Sequence, residues 1–158
     1  MTTTTPMQPM HMTATQLAAW RAFLEAHART TDTLARELRD DEGLPLTWYD
    51  VLVHLSEADG HRLRMQDLAN AVLLSKSGLT RLVDRMEQAG LVNRAACPDD
   101  RRGTFAQLTA AGMDRLRATA PRHIRGVAEH FAVHMDDEEA AVLARLLGRI
   151  ADANATST

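Results

Sequence analysis

A chain of 158 residues, 45% hydrophobic and 25% charged, has the composition of one globular domain, or one domain with an appendage, and is long enough to bury a core. No apolar run is long enough to span a bilayer, and a single cysteine, Cys97, excludes an intramolecular disulfide, which together point to a cytoplasmic protein with no membrane role. The net charge of −3 speaks against a nucleic-acid partner only until its distribution is read: His61 to Thr104 holds eight basic and five acidic residues, a local +3, leaving −6 for the remainder.

Residues 1–12 are rich in Thr, Met and Pro, lack the basic start and apolar centre of a secretory leader, and read as a disordered tail. A first helix is predicted from about Thr15 to Asp40, where Leu17, Trp20, Leu24, Thr31, Leu34 and Leu38 recur at helical spacing, with Gly43 and Pro45 as breakers. A second starts at Thr47, where Thr47-x-x-Asp50 has a capping-box form, and stops at Asp59-Gly60. A third covers roughly Met65 to Val72. The fourth is capped by Ser75, turns Leu79, Leu82, Val83 and Met86 inward, and ends at Gly90 in the left-handed conformation. Strands are predicted over Leu91–Ala96 and Thr104–Leu108, joined by a charged, Gly- and Pro-punctuated tip. Thr109 caps a fifth helix running toward Val133, with Pro121 positioned to kink or divide it. Asp136-x-x-Glu139 opens a sixth, striped by Leu143, Leu146, Leu147 and Ile150, and 154–158 form a polar tail.

The expected fold is mainly α with a small β-hairpin wing: a winged helix-turn-helix lobe at 47–108 and a body built from helices at 13–46 and 109–153. The apolar stripes of those terminal helices have no obvious partner in a small winged-helix core. A second copy of the chain about a two-fold axis is the simplest cover, and packing on their own core is the alternative.

In a helix-turn-helix the second helix enters the major groove with its N-terminal residues toward base edges. Here those are Lys76, Ser77, Thr80 and Arg81. Ser75 or Ser77 can donate to phosphate at a helix N-terminus that itself favours anions. Arg81 suits a bidentate contact to guanine, Thr80 a thymine methyl or phosphate, and Arg85, one turn on, the backbone. Gly78 removes a side chain and permits close approach. At the hairpin tip Arg101 and Arg102 suit a narrow, negative minor groove. Asp84 and Asp100 are candidates to orient a wing arginine.

Leu74–Val92, followed by Pro98-Asp-Asp-Arg-Arg-Gly103 and Leu108-Thr-Ala-Ala-Gly112, resembles the MarR-type (multiple antibiotic resistance regulator) transcription factors, strongly from Leu63 to Gly112 and in layout from Trp20 to Ile150. The resemblance implies a homodimer on a pseudo-palindromic double-stranded operator, usually a repressor. It also implies release by a small phenol or aromatic acid bound between lobe and body, and a wing arginine, Arg102, in the minor groove. Trp20, Arg21, His27, Trp48 and His54 are the candidates for lining such a crevice, which needs an aromatic surface and a cation. No cofactor or metal is expected.

Other readings compete. Cys97 lies near Arg94, Arg101 and Arg102, which could activate a thiol, but relatives that sense peroxide carry their cysteine in the first helix, where this chain has none. His130-x-x-x-His134, with Glu129, offers half of a zinc site if it lies on one helical face, and otherwise a plain polar face. A winged helix can also serve protein–protein contact. No nucleophile elbow, phosphate loop, Cys-x-x-Cys or His-Glu-x-x-His is present, so an enzyme is not expected.

Overall fold

The computed structural model describes residues 11–97 and 100–155, without the side chains of Cys97, Asp100, Arg101 and Arg102. The expected tail through residue 10, the tip residues Pro98 and Asp99, and 156–158 lie outside the described residues. The chain divides into two compact units, one ending at Thr33 and one beginning at Leu34.

Helix α1 (Ala14–Glu42) supplies the first unit and the opening of the second. It begins with a reciprocal cap, the Gln16 amide donating to Thr13 Oγ1 at 3.1 Å and the Thr13 amide to Gln16 Oε1 at 2.9 Å. Along the first unit Leu17, Trp20, Phe23 and Leu24 are exposed. Trp20 and Phe23 lie 6.0 Å apart and Phe23 and His27 6.2 Å, an aromatic row at helical spacing.

In the second unit the core gathers Leu38 and Leu44, then Tyr49, Val51, Leu52 and Leu55 of α2 (Leu46–Glu57), Leu68 and Ala69 of α3 (Met65–Ala71), and Leu79, Leu82, Val83 and Met86 of α4 (Lys76–Gln88). Val92, Ala106, Leu108 and Leu116 close it. The sheet is antiparallel with order β1-β3-β2, from β1 (Arg62–Arg64), β2 (Val92–Cys97) and β3 (Asp100–Leu108). Helices α5 (Ala110–His130) and α6 (Asp137–Ala155) follow.

Several expectations hold. The Ser75 hydroxyl caps α4, accepting from the Gly78 amide at 3.1 Å, and Thr109 Oγ1 caps α5 from Gly112 at 2.9 Å. Gly90 ends α4 at φ 74°. Asp136 and Glu139 exchange both bonds of a capping box, at 2.9 and 3.0 Å.

Others are corrected. α2 begins one residue before Thr47, capped by Pro45, whose carbonyl accepts from Trp48 and Tyr49 at 2.9 and 3.1 Å. Thr47 is then already helical, and the Thr47–Asp50 box does not form. β3 reaches back to Asp100, so the tip is shorter than its composition suggests, with an irregular register between Ala96 and Cys97. β1 was not anticipated, because three residues are too few to show a period. α5 passes through the exposed Pro121 as one helix and stops at His130, with a separate 3-10 turn over Ala132–His134. α6 continues to Ala155, two residues into the segment expected as tail.

The first turn of α5 seats directly on the chain leaving α4. The Thr109 amide donates to Leu91 O at 3.1 Å, and its hydroxyl to Gly90 O at 2.7 Å. Gly112 is buried there, and a Cβ on it would fall well inside the radius of the Leu91 carbonyl oxygen and against Leu108 Cδ1. Backbone cannot yield as a flexible side chain can. Gly112→Ala should therefore cost about 1–3 kcal/mol, the range of an overpacked core, seen as a lower denaturant midpoint with unchanged slope. A midpoint equal to that of the parent chain would show that α5 can back away.

Candidate nucleic-acid interface

The docking of α4 dictates which of its faces is left outside. Leu79, Leu82, Val83 and Met86 are at most 3% exposed, and burying each is worth about 1.5–3 kcal/mol. No rotation of the helix could expose one without losing more than a surface contact returns. The opposite face then carries Lys76, Ser77, Thr80, Arg81 and Arg85, all exposed, preceded by the exposed cap Ser75. The side chains expected to meet a major groove are thus brought together on one face and one end of α4.

Local bonds prepare them. Thr80 Oγ1 donates to Lys76 O at 2.9 Å, which leaves its methyl and an acceptor lone pair for a partner. Arg81 Nε lies 3.4 Å from Ser77 O, a weak bond that steadies the side chain along the helix. Ser75 and Ser77 hydroxyls are 3.4 Å apart at the helix N-terminus, where the amide dipoles favour an anion. The bare Gly78 also serves the cap, since a Cβ there would lie 3.0 Å from Ser75 Oγ.

The wing is tied to this helix by Arg94. On β2 it sits opposite the buried Ala106, facing inward. Its Nη2 donates to Asp84 Oδ1 at 2.6 Å and to Thr80 O at 3.3 Å; its Nη1 donates to Glu87 Oε2 at 2.6 Å; its backbone amide donates to Glu87 Oε1 at 2.9 Å. Burial works against the Arg94 charge, but the hydrogen bonds and fields of Asp84 and Glu87 outweigh it and raise its pKa. Asp84, expected to orient a wing arginine, is therefore engaged with Arg94. Glu87 and the structural use of Arg94 escaped sequence reasoning. A signal existed: Thr80, Asp84 and Glu87 follow one helical stripe, and two acids on a helix otherwise facing phosphates need a cation of their own. The side chains of Asp100, Arg101 and Arg102 lie outside the described residues, and the backbone of all three belongs to β3.

The remaining candidates fall in both units. Trp20, Arg21 and His27 are exposed on the first unit. Trp48 and His54 are half-buried on α2, Trp48 packed against the core. His130 and His134 do not share a helical face, because α5 ends between them; His130 Nε2 instead meets Glu37 Oε1 at 2.7 Å. The single helical face on which the zinc half-site would depend is not formed. That bond, with the fields and bonds of His130 and Arg122, holds the Glu37 carboxyl below its ordinary range despite partial burial.

A family model described as MarR family matches residues 42–103. The HTH-type transcriptional regulator MhqR of Bacillus subtilis (strain 168) is 30% identical over 139 residues, which are 88% of this chain and 93% of that protein. Among solved structures, AbsC, a MarR family transcriptional regulator from Streptomyces coelicolor, is 41% identical with a TM-score of 0.82, over 90% of this chain and 96% of its own. Sco3205, a MarR family transcriptional regulator from the same organism in complex with DNA, is 36% identical with a TM-score of 0.85, over 92% and 91%.

Removing the Arg94 clasp gives a direct check on the geometry. Arg94→Ala leaves two carboxylates without their cation and should destabilise the fold by about 1–2 kcal/mol, between an exposed ion pair and a buried charged bond. Amide exchange in β2 should rise before that in α2. If the double variant Arg94→Ala/Asp84→Ala loses the sum of the two single losses, the pair is not coupled.

Proposed function

The chain belongs to the MarR family of transcriptional regulators, a DNA-binding winged-helix family, and on that footing we propose that it is a homodimeric cytoplasmic repressor, released from a pseudo-palindromic operator by a small phenolic or aromatic-acid effector. The carrying observation is the exposed face of α4. An apolar helix side docks it, and the opposite side offers Lys76, Ser77, Thr80 and Arg81 at an anion-favouring N-terminus. Arg81 reads a base edge through its fork, Lys76 and the serines meet phosphate, and Arg101 and Arg102 on β3 take the minor groove. A winged helix devoted to protein contact has no use for so polar and basic a face.

Dimerisation is supported by apolar side chains left open: Trp20 at 51% and Leu24 at 45% on α1, Ile124 at 64% on α5, Val142 at 47% and Ile150 at 58% on α6. Helical stripes of this kind are covered by a second copy in symmetric regulators.

An effector is supported by the junction of α2 and α5. The rings of Tyr49 and His123 lie 4.5 Å apart at 42°. One turn apart on α5, Thr119 Oγ1 and His123 Nδ1 are buried with no hydrogen-bond partner among the described residues. Burial pushes His123 down against the field of Asp50, and pushes Asp50 up against the fields of His123 and His54. Both shifts favour neutral forms, and each orphaned atom keeps hydrogen-bonding capacity that a phenolic hydroxyl would use.

Arg81→Ala should cost about 1–3 kcal/mol on a matched operator and relax preference at one base pair. Arg102→Ala should weaken binding while leaving major-groove preference intact. Equal losses on every sequence from both variants would mean that neither reads bases. For the effector, a panel of phenols, aromatic acids and metals is screened by thermal unfolding, where a ligand at a hundred times its Kd adds about 2.7 kcal/mol. A hit should release operator DNA, and His123→Ala should abolish its shift. Binding confined to metals would replace the phenolic effector with a metal-responsive one.

A further inference from the structure

The outer face of the wing sheet carries an arrangement that the contacts above leave unused. β1 sets Arg62 opposite Gln107 and Arg64 opposite Phe105, with Leu63 between them on the other face, opposite the buried Ala106. Both guanidinium groups lie over one ring: Arg62 Cζ is 4.9 Å from the Phe105 centroid and Arg64 Cζ 5.8 Å. Across β3, the register adds the uncharged Asn93 and Ala95 to the same face.

The ring holds both forks in advance, so less side-chain freedom is lost when an anion arrives. The strip also shares its strands with the elements proposed to meet DNA. Phe105 lies on the strand that carries Arg101 and Arg102, Arg64 immediately precedes α3, and Arg94 secures the opposite face of the same sheet to α4.

We propose that Arg62 and Arg64, held over Phe105, form an additional phosphate-binding strip that grips the backbone of operator DNA beside the hairpin contact and lengthens the footprint. The inference rests on the DNA-binding reading. Its contribution is non-specific in sequence, because phosphate contacts set position and carry no base information.

The test measures affinity against salt concentration, using the full chain and a duplex that the chain itself enriches from a random-sequence pool. Arg62→Ala and Arg64→Ala should each reduce the slope of log affinity on log salt by about 0.9, the value of one phosphate contact, with base preference and unfolding midpoint unchanged. Arg62→Lys and Arg64→Lys should restore the slope, which a merely structural role would not require. A double alanine variant with the parental slope overturns the strip and leaves the regulator reading standing. That same slope with lost binding of a polyglutamate peptide assigns the face to an acidic protein and overturns it equally. A parent chain that enriches no duplex overturns both readings together.

Discussion

Arg94 holds β2 against α4 through Asp84 and Glu87, 2.6 Å from each, and Glu87 also takes the Arg94 backbone amide. A β-hairpin alone is marginal in water, and a projecting wing needs a fixed origin. The clasp supplies one. It makes α4 and the wing parts of one object, so the spacing between the two surfaces proposed to meet DNA is set in advance. The two acids, odd on a helix whose exposed face is otherwise polar and basic, become intelligible as a neutralised pair turned toward the sheet.

The same logic of local charge runs through the rest of the lobe. An overall charge of −3 conceals a segment at +3, and screening at cellular salt confines each to its own neighbourhood. The acidic excess elsewhere is put to structural use where the described residues show it: Glu37 and Asp41 both meet Arg122, at 3.1 and 2.5 Å, and Glu37 also meets His130. These bonds tie the end of α1 to α5.

Much of this was legible in the chain. The inward face of α4, the Ser75, Thr109 and Asp136 caps and the left-handed Gly90 are local features, decided within a few residues, and local chemistry announces them. What sequence reading lost depended on partners distant in the chain. Pro45 displaced the Thr47 cap by starting α2 early. β1 exists because β3 gives it a ladder, with Arg62 paired to Gln107 forty-five positions later. His130 turned to Glu37 across the fold, and the helix that would have aligned it with His134 ended first. Arg94 could be counted as positive charge from the sequence, but only the register of β2 shows that it faces inward.

The seat of α5 on Leu91 has a mechanical meaning. Thr109 and Gly112 press the first turn of α5 onto the backbone just past the end of α4, with no compliant side chain between them. α4 is 13 residues long, a lever of about 20 Å. A turn of about 10° at such a joint carries the far end, where Lys76 and Ser77 stand, through about 3 Å, close to the rise of one base pair. The bare backbone contact at Gly112 is thus a stiff bearing, one that lets a small displacement of α5 become a far larger one at the N-terminus of α4.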